Sequence, residues 1–157
     1  MKTEFKFYTE YNQFYIHDKN YVGDTSDSDF WSEEAYSGRL AIRNGILGVG
    51  TQCYGNVKGE INILYEQLPN NNFDQYDHIV EAGIEIHGGE IQISGCTSNY
   101  SEVRIKINNG KYRVRIYSSN LASVLEPDLA HDTDDDFYKI EVWTDENMER
   151  KILKQYI

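Results

Sequence analysis

Alternation of apolar and polar residues is the feature that most constrains the fold of this 157-residue chain. It recurs in EFKFYTEY, GEINILYE, GIEIHGGEIQISG, EVRIKINNGKYRVRIY and YKIEVW. A period of two is typical of β-strands, because successive side chains point to opposite faces of a sheet. Eight to ten short strands therefore predict an all-β protein, a single-domain antiparallel β-sandwich or flattened barrel spanning residues 1–157.

Glycine-containing pairs between these runs predict three hairpins. Asn-Gly at positions 44–45 and 109–110 supplies the positive φ angles of a tight turn, and His-Gly-Gly at 87–89 predicts a third hairpin. Around positions 109–110 the Val and Ile residues predict a core face, and the alternating Arg and Lys residues predict a basic, wetted face.

One short helix is expected between residues 24 and 39. Ser28 or Asp29 suits its N-cap and Gly38 suits its end. Its buried side is expected to consist of Phe30, Trp31, Ala35 and Tyr36. A C-terminal helical turn is a second option, for residues 146–157.

The search for chemistry returns no catalytic constellation. The four histidines lack zinc-ligand spacing, and no nucleophile elbow is present. We therefore expect a protein that is not an enzyme, with no metal or other cofactor. Residues 1–10 lack the apolar segment of a secretory signal, which predicts a cytoplasmic protein with Cys53 and Cys96 reduced, although a bridge between them stays open.

The net charge of −11 is larger than solubility requires, which is about 2 to 8 units in magnitude for a small domain. Residues 59–103 contain no Lys or Arg. Such a surplus repels phosphate backbones and speeds the encounter with a basic protein. We therefore predict no direct nucleic-acid binding, no membrane partner and a basic protein partner.

Two acidic segments are the candidates for partner binding. The candidate residues are Asp24, Asp27 and Asp29 in the first segment, and Glu126, Asp128, Asp132, Asp134, Asp135 and Asp136 in the second. Acidic turns are one explanation, since Asp hydrogen-bonds its own backbone. A calcium-dependent β-sandwich module is the alternative function, if the two segments meet in space. An EF-hand is excluded, because Phe137 and Trp143 stand where that loop needs Gly and Glu.

The opening of the chain resembles the competence-protein J family of nuclease inhibitors. The resemblance lies in Tyr11, Gln13 and Phe14 of YNQFYIHD and, further along, in Trp31, Ala35 and Gly45 of FWSEEAYSGRLAIRNGILGVGT. It implies a small cytoplasmic inhibitor or immunity protein that presents carboxylates to the basic cleft of a nuclease or nuclease toxin. The matching residues are strand and core positions, so the resemblance assigns no inhibitory residue.

Exposed aromatic side chains are expected to anchor such an interface, and Tyr54, Tyr76 and Tyr100 are the candidates.

Overall fold

The computed structural model describes residues 1–98 and 100–157, and within them it forms eleven strands in two sheets. The six-stranded sheet has the order β1 (Lys2–Tyr8), β5 (Asn56–Ile63), β10 (Phe137–Thr144), β9 (Gly110–Ser119), β6 (His78–Ile86) and β11 (Lys151–Lys154). The five-stranded sheet has the order β3 (Leu40–Arg43), β4 (Ile46–Gly50), β2 (Gln13–Asp18), β7 (Glu90–Gly95) and β8 (Val103–Lys106).

The two sheets share one hydrophobic core, which confirms the β-sandwich predicted from the alternation. Every second residue of the central strands is buried between them, and the Phe14 ring of β2 contacts Tyr138 of β10 with centroids 6.0 Å apart. One strand pair departs from the antiparallel expectation, since β10 runs parallel to β5. The connection from β5 to β10 includes four strands, so no local sequence pattern marks this pairing.

Only one of the three predicted hairpins forms. Residues 44–45 join β3 to β4, and Gly45 has a φ of +84°. The hairpins predicted at 87–89 and 109–110 are wrong, because both segments are corners at which the chain passes between the sheets. β6 pairs with β9 and β7 pairs with β8. The apolar residues face the same core on either side of a corner, so the alternation is the same as in a hairpin.

The predicted short helix is α1 (Glu33–Gly38), capped by the Ser32 hydroxyl, which accepts from the amide of Ala35 at 3.2 Å. Tyr36 is 66% exposed and does not join the buried side as expected. Residues 146–157 do not form a helical turn: their Lys151–Lys154 part is strand β11, paired with the edge of β6. No helix of the described residues is long and apolar enough to cross a membrane.

The outer face of the six-stranded sheet is buried around Arg113 and Arg115, where the sequence predicted a wetted basic face. Arg113 and Arg115 are 3% and 7% exposed, and both donate to the carboxylate of Glu81. Arg115 donates to the Asn70 carbonyl of the loop of residues 64–77 at 3.0 Å, and Arg113 donates to the carbonyl oxygens of Asn147 and Glu149 before β11. The two arginines hold these segments on the sheet and are not available to a partner.

Candidate protein-binding surface

Three connections meet at one end of the sandwich. They are residues 9–12 between β1 and β2, residues 51–55 between β4 and β5, and residues 120–136 between β9 and β10. We call this region the three-loop end and residues 120–136 the acidic loop. An antiparallel pair can be joined by two residues, and loops longer than about 12–15 residues are uncommon unless functional. The acidic loop is therefore the first candidate for a functional segment.

The side chain of Asn12 joins the three loops. Its amide donates to the carbonyl oxygens of Gln52 at 3.3 Å, Cys53 at 3.0 Å and Pro127 at 2.7 Å. Tyr11 and Asn12 both have left-handed backbones, with φ near +60°. Such backbones cost about 1–3 kcal/mol each for non-glycine residues and persist where surrounding contacts determine them. The contacts of Asn12 thus connect the three loops to one another.

The structure divides the acidic loop into buried and exposed carboxylates. Asp134 and Asp136 are 8% and 1% exposed, which removes them from the exposed acidic surface that their sequence predicts. Glu126, Asp128, Asp132 and Asp135 are exposed. They are the part of the predicted set that faces solvent at this end of the molecule.

The exposed carboxylates differ in their partners. Asp135 forms an ion pair with Lys58, which lowers its pKa, and Glu126 accepts from the imidazole of His131 at 3.1 Å. Among the described residues, no Lys, Arg or His group lies within 4.0 Å of the carboxylates of Asp128 and Asp132. These two residues carry the uncompensated negative charge of the exposed loop.

The buried Asp136 joins the acidic loop to residues 51–55. Its Oδ2 accepts from the amide of Cys53 at 3.0 Å and from the hydroxyl of Tyr138 at 2.5 Å. Burial, reinforced by this carboxylate, raises the pKa of the Cys53 thiol. Cys53 is therefore a protonated interior residue rather than a nucleophile.

Exposed tyrosines form a ridge beside the acidic loop. Tyr8 and Tyr11 are 57% and 60% exposed, and Tyr54 contacts Tyr11 edge to face with centroids 6.0 Å apart. The Tyr8 ring lies over Gly55, where a Cβ would come within 2.7 Å of it. Tyrosine presents a large ring and a hydroxyl at small entropic cost, and it is enriched at energetically dominant positions of interfaces.

A cavity lies on either side of this ridge, and the acidic loop borders both. The Asp128 pocket has about 360 Å³ and is lined mainly by Tyr11, Gln13, Trp31, Tyr36, Arg39 and Asp128. The Asp134 pocket has about 480 Å³ and is lined mainly by Lys6, Tyr8, Lys58, His131, Asp132 and Asp134. The two pockets, the ridge and the loop together form one surface, on which aromatic and acidic side chains lie beside Lys6, Lys58 and Arg39.

The acidic segment of residues 24–29 lies elsewhere, beside the β3–β4 hairpin. Asp24 accepts from the amide of Ser26, and Asp27 accepts from that of Phe30, as expected for acidic turns. The Arg43 guanidinium bonds Asp27 at 2.8 Å and lowers its pKa, and Asp29 is exposed.

The two acidic segments do not meet as the calcium alternative requires. No hydrogen bond or ion pair of residues 1–98 and 100–157 joins them. Within the same residues, no three or more His, Cys, Asp or Glu side chains converge on a common point suited to a metal ion. Among the described residues, the structure therefore shows no metal site shared by the two acidic segments.

A serine–histidine contact on the outer face of the five-stranded sheet had no sequence signal. The Ser94 hydroxyl lies 2.8 Å from His17 Nε2, and His17 Nδ1 lies 3.0 Å from the carbonyl of Asp18. Ser94 also contacts Ser101, which donates to Gln92. This chain of hydrogen bonds connects β2 to β7 and to the residues before β8. Cys96 lies near it and is not bonded to Cys53.

Sequence reasoning found one tyrosine of the ridge and missed the others. Tyr54 lies at the three-loop end, whereas Tyr76 packs on Tyr117 with centroids 4.7 Å apart and Tyr100 lies beside the Ser94 face. The excess of 13 Tyr over 6 Phe was the available signal, because the hydroxyl suits rings that remain half exposed. It does not say which tyrosines converge.

No protein-family model and no curated protein match the sequence. Solved structures of similar fold include ComJ of Bacillus subtilis, described as an inhibitor of the DNA degrading activity of NucA. The TM-score is 0.68 at 17% identity, over 91% of this chain and 96% of ComJ. A protein described as crocagin biosynthetic gene J matches with a TM-score of 0.53 at 12% identity, over 92% and 97% of the two chains. The resemblance seen in the sequence is thus confirmed at the level of the fold.

Proposed function

We propose that this protein inhibits a nuclease by binding it through the three-loop end. The observation that carries the proposal is the fold shared with ComJ along nearly the whole chain, since ComJ inhibits a nuclease. The inhibitor acts by occupying the active-site cleft rather than by catalysis. Its partner is a protein with a basic cleft, as is usual for an enzyme that binds a phosphate backbone.

The charges of the three-loop end support this role. Asp128 and Asp132 carry carboxylates that bind Lys and Arg through charge-assisted hydrogen bonds. The net charge of −11 adds long-range attraction, which raises association rates by about 10- to 1,000-fold at low salt. The tyrosine ridge supplies the apolar area that converts the encounter into a stable complex.

The order of the three-loop end also supports its proposed role in binding a nuclease. The hydrogen bonds of Asn12 to Cys53 and Pro127 tie the three loops together. A surface that is ordered before binding loses less entropy in the complex. Asp24, Asp27 and Asp29 remain a separate acidic patch in the proposal, and we expect them to contribute through long-range charge alone.

The test is the degradation of DNA by purified NucA of Bacillus subtilis with increasing amounts of this protein. We expect inhibition, weakened about tenfold or more in a double variant with Asp128→Asn and Asp132→Asn. The double variant with Glu66→Gln and Asp74→Asn, two exposed acids on the loop of residues 64–77, is the control with the same loss of charge. Undiminished DNA degradation at saturating protein would overturn inhibition of NucA, and equal inhibition by all variants would overturn the role of the acidic loop.

A further inference from the structure

Strand β1 is the longest edge strand of the two sheets. It has seven residues, whereas the other three edge strands, β3, β8 and β11, have four each. An open edge presents a row of unpaired amides and carbonyls, and natural proteins commonly protect themselves by keeping edge strands short. The edge of β1 is therefore the place in this fold where one more strand can be added.

The hydrogen bonds to β5 determine which residues of β1 face the open edge. Met1 exchanges two backbone hydrogen bonds with Ile63, and at the other end the amide of Thr9 donates to the carbonyl of Gly55. Hydrogen-bonded pairs alternate along an antiparallel strand, so the odd-numbered residues of β1 bond to β5 and the even-numbered ones point outward. The outward residues are all exposed, namely Lys2, Glu4, Lys6 and Tyr8. No other described residue forms a hydrogen bond with their amides or carbonyls.

The charged side chains of β1 lie opposite like charges within the sheet. Glu4 is the register partner of Glu60, and Lys6 is that of Lys58. Like charges directly opposite each other destabilise a strand pair, and opposite charges stabilise it. Among the described residues, neither Glu4 nor Lys6 forms an ion pair within 4.0 Å. The open edge is the remaining side on which a neighbouring strand can place opposite charges beside them.

A second copy of β1 supplies these opposite charges in one antiparallel register. With Phe5 opposite Phe5 of the second copy, each Glu4 lies opposite a Lys6, and each Lys2 lies opposite a Tyr8. The even-numbered residues then form the hydrogen-bonded pairs, as their outward direction requires. A shift by two residues places Glu4 opposite Glu4 or Lys6 opposite Lys6, and a shift by one residue places outward groups opposite groups already bonded to β5. The charge pattern thus favours one register over its neighbours.

We propose that two copies of this protein form a symmetric dimer through their β1 strands in this register. The inference is independent of nuclease inhibition. The six-stranded sheets of the two copies join into one continuous sheet, with the two-fold axis at Phe5. The paired strands run in opposite directions, so the three-loop ends, which follow Tyr8, lie at opposite ends of the joined strands. A contact through one strand is smaller than a standard interface of about 1,200–2,000 Å², so the dimer is weak and reversible.

The test is sedimentation equilibrium of the whole protein and of charge variants, between about 10 μM and about 1 mM, the range in which a weak dimer dissociates. We expect the mass of the native protein to rise with concentration from 18.3 kDa towards twice that value. Glu4→Lys and Lys6→Glu each place like charges opposite each other twice in the dimer, and each is expected to weaken it about tenfold or more. An equimolar mixture of the two variants restores both opposite-charge pairs and is expected to dimerise as the native protein does.

The control is Glu66→Lys, which changes the net charge as Glu4→Lys does at an exposed position away from β1 and is expected to dimerise normally. A mass of 18.3 kDa at every concentration would overturn the dimer. Undiminished dimerisation of both single variants would assign the contact to another surface, and a mixture that stays monomeric would overturn the register. Because no measurement involves a nuclease, failure of this proposal and failure of the inhibition assay are distinguishable.

Discussion

Aspartates close together in the chain serve different purposes in this protein. Asp136 accepts two hydrogen bonds inside the molecule, Asp135 is neutralised by Lys58, and Asp132 faces solvent. The sequence predicted an acidic loop and a turn, and both are present. The sequence alone could not separate these roles, because the role of each aspartate depends on which residues of other segments contact it in the folded protein.

Replacing Asp136 tests its structural role. In Asp136→Ala the amide of Cys53 and the hydroxyl of Tyr138 lose their shared acceptor in the interior. Each buried donor left without a partner costs about 1–3 kcal/mol, so the free energy of unfolding should fall by about 2–5 kcal/mol. Urea denaturation measures it, and Asp132→Ala is the control. A loss below about 1 kcal/mol would show that the carboxylate is not needed there.

At the scale of elements, the strands and the helix were predictable and their connections were less so. The β3–β4 hairpin and α1 follow from local signals, namely Gly45 and the polar residues before the helix. The corners at residues 87–89 and 109–110 carry the same signal as hairpins. Pairing of β6 with β9 over nine positions outweighs it, since long paired strands bury more surface than a local turn can stabilise.

Strand β11 depends on a glycine of the neighbouring strand. A Cβ at Gly83 would lie 2.6 Å from the Met148 backbone, and the Gly83 amide donates to the Met148 carbonyl. We expect Gly83→Ala to displace residues 146–154, to lower stability by about 1–3 kcal/mol and to speed hydrogen exchange in Lys151–Lys154. Gly88→Ala is the control, because its new Cβ meets only the movable side chain of Asn20. Unchanged exchange in β11 would contradict this packing.

His78 makes the attachment of the C-terminal segment sensitive to pH. Its Nε2 donates to the carbonyl of Gly38 at 2.8 Å, and its Nδ1 accepts from the amide of Tyr156 at 3.0 Å, so the ring is neutral. Burial lowers the pKa of His78, and the nearby charge of Arg39 lowers it further. The unfolded chain therefore binds the proton more readily, and stability falls as the pH drops below about 6.5.

The His78→Gln variant isolates this contribution. We expect the native protein to lose stability below pH 6.5 with a slope of at most about 1.4 kcal/mol per pH unit from this group, and the variant to lack that component. Thermal unfolding between pH 7.5 and pH 5 measures the difference. Parallel pH profiles of the two proteins would show that His78 does not titrate on unfolding.

At the scale of the whole molecule, composition predicts a kind of partner and does not locate a binding site. The charge of −11 is spread over both sheets, and Asp27 and Glu81 are neutralised by arginines. The three-loop end became visible only when residues 9–12, 51–55 and 120–136 met at one end of the fold. The motif residues Tyr11, Gln13 and Trp31 proved to line the Asp128 pocket rather than serving the core alone.

Salt should weaken inhibition mainly through the association rate. Long-range attraction is screened over about 10 Å at 0.1 M salt and about 3 Å at 1 M. We expect the rate of association with NucA to fall about tenfold or more between 0.05 M and 0.5 M salt, with a smaller change in dissociation. Surface plasmon resonance measures both rates. A salt-independent association rate would contradict electrostatic attraction as part of the mechanism.

The central claim is that the three-loop end binds a nuclease, and hydrogen exchange of the protein with and without NucA tests it most directly. We predict that binding slows exchange in residues 8–12, 51–56 and 124–136 and leaves the Ser94 face unchanged. Protection confined to residues 92–104, or no protection at saturating NucA, would contradict the account.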